Sequence, residues 1–272
     1  MTGDRPDPAP HVPVGPVPSS EQGRRLLDLV KVMARLRGPD GCPWDREQTH
    51  QSLARHLLEE THELIEAIDL GDADAIRDEL GDLLLQVVFH AQMASEDGRW
   101  DVDDVARRLT EKLIHRHPHV FGDVEVSGAD EVLTNWEKLK EEEGSGPRRG
   151  VDEEIPATLP ALARAAKVQR RAAGWGVGWA SPEAAIGALR EEVAGLSEAP
   201  DDAEREVGDL LFATVAAARK LGVDAESALR RATRGFAERY ERFVALAEER
   251  GLDLESIPED EIRELFREAR EA

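Results

Sequence analysis

Two short acidic runs, Leu58-Glu59-Glu60-Thr61-His62-Glu63 and Glu79-Leu80-Gly81-Asp82, carry side chains suited to chemistry. On a helix turning about 100° per residue, Glu59, Glu60 and Glu63 fall within an arc of roughly 100°. Glu79 and Asp82, three apart, also share a face. Gly71-Asp72 marks a turn between the runs. Glu59 to Glu63 lie 12 to 8 residues before Gly71, and Glu79 to Asp82 lie 8 to 11 after it. An antiparallel hairpin therefore sets five carboxylates at one level. Such a set opposes folding unless something positive neutralises it. Oxygen-only donors suit hard cations, namely Mg²⁺, Mn²⁺ or Ca²⁺. Mg²⁺ typically combines one or two protein carboxylates with waters and substrate phosphates, so the pattern points to a Mg²⁺–phosphate site, with Mn²⁺ as a substitute. The alternative is a solvated acidic face. Two helices matched in level, embedded among leucines and valines, argue against it. Glu66 extends the row and is expected to face solvent or to stand behind the ligands.

Cations that could meet phosphate oxygens are Arg116, in His115-Arg116-His117-Pro118-His119, and Lys140, in Trp136-Glu137-Lys138-Leu139-Lys140. The alternating histidines are not expected to bind metal, because Pro118 breaks any regular geometry. Two rival readings come from other classes. Glu59-x-x-His62 has the spacing of ferritin-like di-iron sites, but these need a second Glu-x-x-His, and Glu79-x-x-Asp82 does not supply it. The carboxylates could also belong to a non-catalytic helical interaction module, which failure to bind Mg²⁺ or nucleotide would reveal.

The elements that must position these residues are helical. Apolar residues at helical spacing predict helices over about 20–36, 49–70, 73–95 and 102–115, a loop over 118–128 and a short helix over 130–142. Their apolar stripes are Leu53, Leu57, Leu64, Ile65 and Ile68 on the second helix, and Ile76, Leu80, Leu83, Leu84, Val87 and Val88 on the third. Six prolines within residues 1–19 predict a disordered tail. Glycines and prolines over 143–160 read as a linker. Helical patterning resumes at Ala161, with breaks near Gly174–Gly178, Pro200, Gly222 and Gly251.

The two halves repeat. Gly81-Asp82-Leu83-Leu84 recurs as Gly208-Asp209-Leu210-Leu211, and Glu59-Glu60 as Glu191-Glu192. A repeat this long means tandem domains, 20–142 and 161–272, each a bundle of about four helices.

Composition agrees. Leu, Ala, Glu and Arg are abundant, aromatics make up 4%, and β-branched runs are scarce, which favours an all-α fold. A net charge of -22 repels a phosphate backbone, so duplex DNA or RNA is not an expected partner. One cysteine, Cys42, cannot form an internal disulfide. No apolar run reaches membrane-spanning length, and the first residues lack the apolar core of a signal peptide. A cytoplasmic protein is expected.

Taken together, Cys42-Pro43-Trp44-Asp45, Glu59-Glu60-x-x-Glu63, Glu79-x-x-Asp82 with Gly81 and Leu83-Leu84, Arg116-His117-Pro118-His119-Val120-Phe121 and Trp136-Glu137-x-x-Lys140 resemble the MazG family of nucleoside triphosphate pyrophosphohydrolases. The resemblance runs from about residue 24 to 250, and the order and spacing of the motifs carry it. It implies the all-α fold shared with dimeric dUTPases and phosphoribosyl-ATP pyrophosphohydrolases, and a homodimer or higher oligomer. It implies Mg²⁺-dependent hydrolysis of NTPs or dNTPs between the α- and β-phosphates, a reaction that fits housecleaning of the nucleotide pool. Glu59, Glu60, Glu63 and Asp82 would hold metal, Glu79 would bind it or orient the attacking water, and Arg116 and Lys140 would neutralise the triphosphate. The second half departs from the pattern. Glu191, Glu192, Glu206, Asp209 and Lys167 remain, but Gly195 replaces the third glutamate, and Thr233 and Gly235 stand where the family has Asn and Lys. The Trp175-Gly176-Val177-Gly178-Trp179 segment also differs from the family's Val-Gly-Phe-Asp-Trp. The first half is therefore expected to do the chemistry and the second to be degenerate.

Overall fold

The computed structural model describes residues 24–128, 131–132, 135–136, 139, 150–153, 155–198, 202–254 and 256–270. The proline-rich tail and Lys140 lie outside them. All regular structure among the described residues is helical. The chain divides into two compact units, residues 1–144 and 145–272.

The first unit contains α1 (Arg24–Arg37), α2 (Pro43–Glu47), α3 (His50–Leu70), α4 (Ala73–Glu96), α5 (Val102–Arg116) and α6 (Pro118–Phe121). The centre is the α3–α4 hairpin, with α1 and α5 packed on α4. Local chemistry sets its ends. Thr49 and Ser52 form a reciprocal capping box at the start of α3. Gly71 closes α3 at φ 71°, a left-handed conformation that suits glycine. Asp72 caps α4 by accepting from the Asp74 and Ala75 amides. The connection is therefore as short as a hairpin of helices allows, and it locks the register of the two acidic runs.

Met33, Leu53, Val88, Phe89 and Met93 form the buried core, gathered toward the end of the hairpin away from Gly71. Arg37 seals that end. Its side chain is only 8% exposed, and it pairs with Glu96 on α4 at 2.7 Å and donates to the Asp45 carbonyl.

Several details differ from the periodicity. The stripe on α3 and α4 is only partly core, since Leu57, Ile68, Leu80, Leu84 and Val87 are exposed within the chain. Spacing assigns a residue to a face, but here one apolar face stays exposed among the described residues. The short α2 was not expected. Pro43 at its first turn and the Arg37 contacts to the Asp45 and Gln48 carbonyls hold it. The loop after Pro118 begins with the helical turn α6, because a proline whose ring presets φ starts a helix readily.

The second unit contains α7 (Ala161–Gly174), α8 (Pro182–Glu198), α9 (Ala203–Lys220), α10 (Ala225–Glu249) and α11 (Glu259–Glu268). Helices α8 and α9 form its main hairpin, with α7 and α10 packed on α9 and α11 on α10. The described part of the expected linker is tied to α7, with Ile155 buried and Asp152 paired with Arg164 at 3.4 Å.

A candidate metal–phosphate site on the first hairpin

The hairpin register brings the acidic residues together in a specific pairing. Glu63 stands eight residues before Gly71 and Glu79 eight after; Glu60 stands eleven before and Asp82 eleven after. At 1.5 Å per residue, the first pair lies about 12 Å and the second about 16 Å from the turn. Glu60, Glu79 and Asp82 each offer a carboxylate oxygen, and these atoms lie within 4.8 Å of one another. Glu63 hydrogen bonds to Glu79. No other group of three or more potential metal ligands converges in this way among the described residues.

Electrostatics match that crowding. Partial burial comes first in pushing the Glu60 carboxyl above its ordinary value of 4.5, followed by the charges of Asp82, Glu63, Glu79 and Glu59. Burial again leads for Glu79, followed by the charges of Glu63, Asp82 and Asp78 and then the hydrogen bond to Glu63. Glu79 Oε2 is buried without a hydrogen-bond partner. A buried carboxylate oxygen left unpaired among like charges is costly, and a divalent cation is the species that would satisfy it. The donor set is all oxygen and suits Mg²⁺ or Mn²⁺.

The remaining residues singled out by sequence fall outside the trio. Glu59 turns to His56 Nδ1, 3.0 Å away and one turn earlier on α3. His62 is exposed, and no second Glu-x-x-His meets it. Arg116 ends α5 with its guanidinium 5.2 Å from the centre of the Trp136 ring, a cation–π contact. Two features carried no sequence signal. His56 holds Glu59 and meets Trp44 edge-on at 6.1 Å between ring centres. His50 Nδ1 lies 2.6 Å from His90 Nδ1, tying the start of α3 to α4.

Comparisons with known proteins address the same region. The MazG nucleotide pyrophosphohydrolase domain matches residues 48–121, which contain all of α3 to α6. The chain is 46% identical over 252 residues to the nucleoside triphosphate pyrophosphohydrolase/pyrophosphatase MazG of Thermotoga maritima, spanning 92% of this chain and 97% of that one. The chain belongs to the MazG family. It is also 41% identical over 251 residues to the nucleoside triphosphate pyrophosphohydrolase of Escherichia coli, covering 89% of this chain and 95% of that protein. A Mycobacterium tuberculosis protein of the same name is 45% identical over 157 residues, covering 57% of this chain.

The MazG-like motifs of the second unit have a different environment. Glu206 and Asp209 lie on α9 at the positions of Glu79 and Asp82 in the repeat, and Glu191 and Glu192 lie on α8. Glu206 is 6% exposed. Arg205 pairs with Glu206, with Asp209 at 3.0 Å and with Asp202 at 2.6 Å. A Cβ at Gly195 would meet Glu206 Oε2 at 2.9 Å, so the bare glycine backbone makes room for that carboxylate. Lys167 on α7 is exposed. No helix among the described residues is long and apolar enough to cross a membrane.

Proposed function

We propose that this chain hydrolyses nucleoside triphosphates to nucleoside monophosphate and pyrophosphate at the first hairpin, using Mg²⁺, with Mn²⁺ as a substitute. The observation that carries the reading is the convergence of Glu60, Glu79 and Asp82, together with a buried Glu79 Oε2 that has no hydrogen-bond partner. Membership of the family, and the names of relatives that match nearly the whole chain, support the reaction.

Glu60, Glu79 and Asp82 would hold the cation, with Glu63 beside Glu79. When bound, the cation polarises the phosphoryl group and lowers the pKa of water. The chain's own contribution is position and charge. Carboxylates fixed on two rigid helices, in a register set by Gly71, keep the donor oxygens in place without reorganisation. Glu79, with Glu63 beside it, would orient the attacking water or join the metal ligands. Glu59 is held by His56 at the rim and joins the set only if that hydrogen bond breaks. Arg116, fixed against Trp136, and Lys140 supply positive charge toward the triphosphate.

We infer a homodimer or higher oligomer. Leu57 and Leu58 on α3 and Leu80, Leu84 and Val87 on α4 are exposed, and an apolar face this continuous needs a cover. Val88, on the apolar stripe of α4, is 1% exposed and belongs to the core, so it takes no part in this face. A cytoplasmic setting agrees with the single free Cys42.

The test is product analysis with a panel of NTPs and dNTPs. Pyrophosphate and monophosphate should appear together, and Glu60→Gln and Asp82→Asn should each lower kcat by more than about 100-fold with helical circular dichroism unchanged. Release of single phosphates, or full activity in either variant, overturns the assignment.

A further inference from the structure

The two hairpins carry the same Glu-x-x-Asp motif but meet its charge in opposite ways. In the first unit, the residue ahead of the motif is Asp78, itself an added negative charge on Glu79. Among the described residues, no lysine or arginine pairs with Glu60, Glu63, Glu79 or Asp82, and a buried oxygen is left unsatisfied. In the second unit that position holds Arg205. Its three carboxylate partners include both members of the motif, Glu206 and Asp209.

We propose that Arg205 is the resident cation of the second unit, that its guanidinium takes the role a divalent metal has in the first, and that the second hairpin therefore does not take Mg²⁺. The inference rests on the metal reading of the first site for its comparison, but its geometry stands alone. A carboxylate as buried as Glu206 requires a cation or a proton. Arg205 supplies a planar fork of N–H donors that reaches Glu206 and Asp209 together, and Asp202 holds the fork from the third side. Gly195 makes the arrangement fit. A glutamate there, as in the first unit, would start with its Cβ only 2.9 Å from Glu206 Oε2 and add a fifth negative group. Loss of the third glutamate and gain of the arginine are two halves of one exchange. A guanidinium offers no vacant coordination position and cannot activate water, so the exchange converts a reaction site into a charge-neutralised cluster at the start of α9, with the Glu206 carboxylate seated against Gly195 of α8.

The experiment uses the full chain with Mn²⁺ as the probe, followed by electron paramagnetic resonance and thermal unfolding. Glu60→Gln/Asp82→Asn should abolish specific Mn²⁺ binding, leaving no site in the second unit. Arg205→Ala added to that background should lower the unfolding midpoint by several degrees in chelator. It should also create one Mn²⁺ site whose occupancy restores the midpoint. If Arg205→Ala proves too unstable to purify, Arg205→Ala/Glu206→Gln should recover the fold, because the uncompensated buried charge is gone. Retained Mn²⁺ binding in Glu60→Gln/Asp82→Asn that disappears on adding Glu206→Gln/Asp209→Asn overturns the inference. So does an Arg205→Ala midpoint equal to that of its background in chelator. Failure of the metal reading of the first site gives a separate signature: wild type and Glu60→Gln/Asp82→Asn would then titrate alike with Mn²⁺.

Discussion

Glu79 concentrates the conflict at this site. Its carboxyl is held above 4.5 by burial and by Glu63 and Asp82, so the folded chain keeps a proton there that the unfolded chain releases. A raised carboxyl contributes its full stability below the unfolded value and loses it as pH rises through the folded one. At neutral pH without metal, the charged cluster therefore works against folding. Glu79→Gln should unfold at a higher temperature than wild type in chelator at pH 7.5, and the gap should close as pH falls to 4.5. Adding Mg²⁺ at pH 7.5 should reverse the order, raising wild type and leaving the variant unmoved. Calorimetry of both proteins with and without Mg²⁺ checks this; a variant less stable than wild type in chelator contradicts it. Because protons compete for Glu60 and Glu79, Mg²⁺ affinity should fall on acidification from a higher pH than free carboxylates would give.

At the scale of the helix, both ends of the α3–α4 hairpin are tuned. Gly71 turns at φ 71°, and a Cβ there meets nothing within 4 Å. Gly71→Ala should therefore cost about 1 kcal/mol of stability through backbone strain alone, with kcat at saturating Mg²⁺ unchanged. Denaturant midpoints and steady-state kinetics on the same preparation test that separation. At the other end, His90 is held below its ordinary 6.5 by burial and by His50. Arg99 lies 3.1 Å from His50 Nε2 and 2.8 Å from Asp97. Across the 2.6 Å contact between His50 Nδ1 and His90 Nδ1 only one nitrogen can carry the hydrogen, which suits a His90 held below its ordinary value. A depressed histidine keeps its proton off in the folded chain, while the unfolded chain binds one below 6.5. Stability should fall as pH drops from 6.5 through the folded value, and His90→Gln should flatten that slope. Urea unfolding at a series of pH values is the measurement.

Considered whole, the molecule is two similar hairpins, one strained by its charges and one relieved by Arg205. Its exposed apolar residues on α3 and α4 belong to the strained hairpin, so the proposed assembly and the proposed chemistry draw on the same pair of helices. Leu84→Asp should convert an oligomer to a species of about 30 kDa in sedimentation equilibrium. Wild type already sedimenting as a monomer would remove the basis for this assembly.

The all-helical class, the hairpin turn and the level of the acidic runs were legible in the residues alone. Each depends on local rules: helical period, a glycine that tolerates positive φ, and a count from the turn. The motif order likewise marked this hairpin as the candidate site. What local rules could not decide is how side chains are shared out once helices pack. Glu59 and Glu60 are neighbours on one helix, yet one is drawn to His56 and the other to Asp82 and Glu79. Leu80, Leu84 and Val88 lie on neighbouring parts of one helix surface, yet only Val88 is enclosed, because α1 and α5 pack on one side of α4 and no described helix of the unit encloses Leu80 and Leu84. Arg205 reads in sequence as one more surface arginine. Its meaning emerges only when α8 and α9 pack and Gly195 admits the Glu206 carboxylate, because a charge is neutralised by the groups within reach in space rather than along the chain.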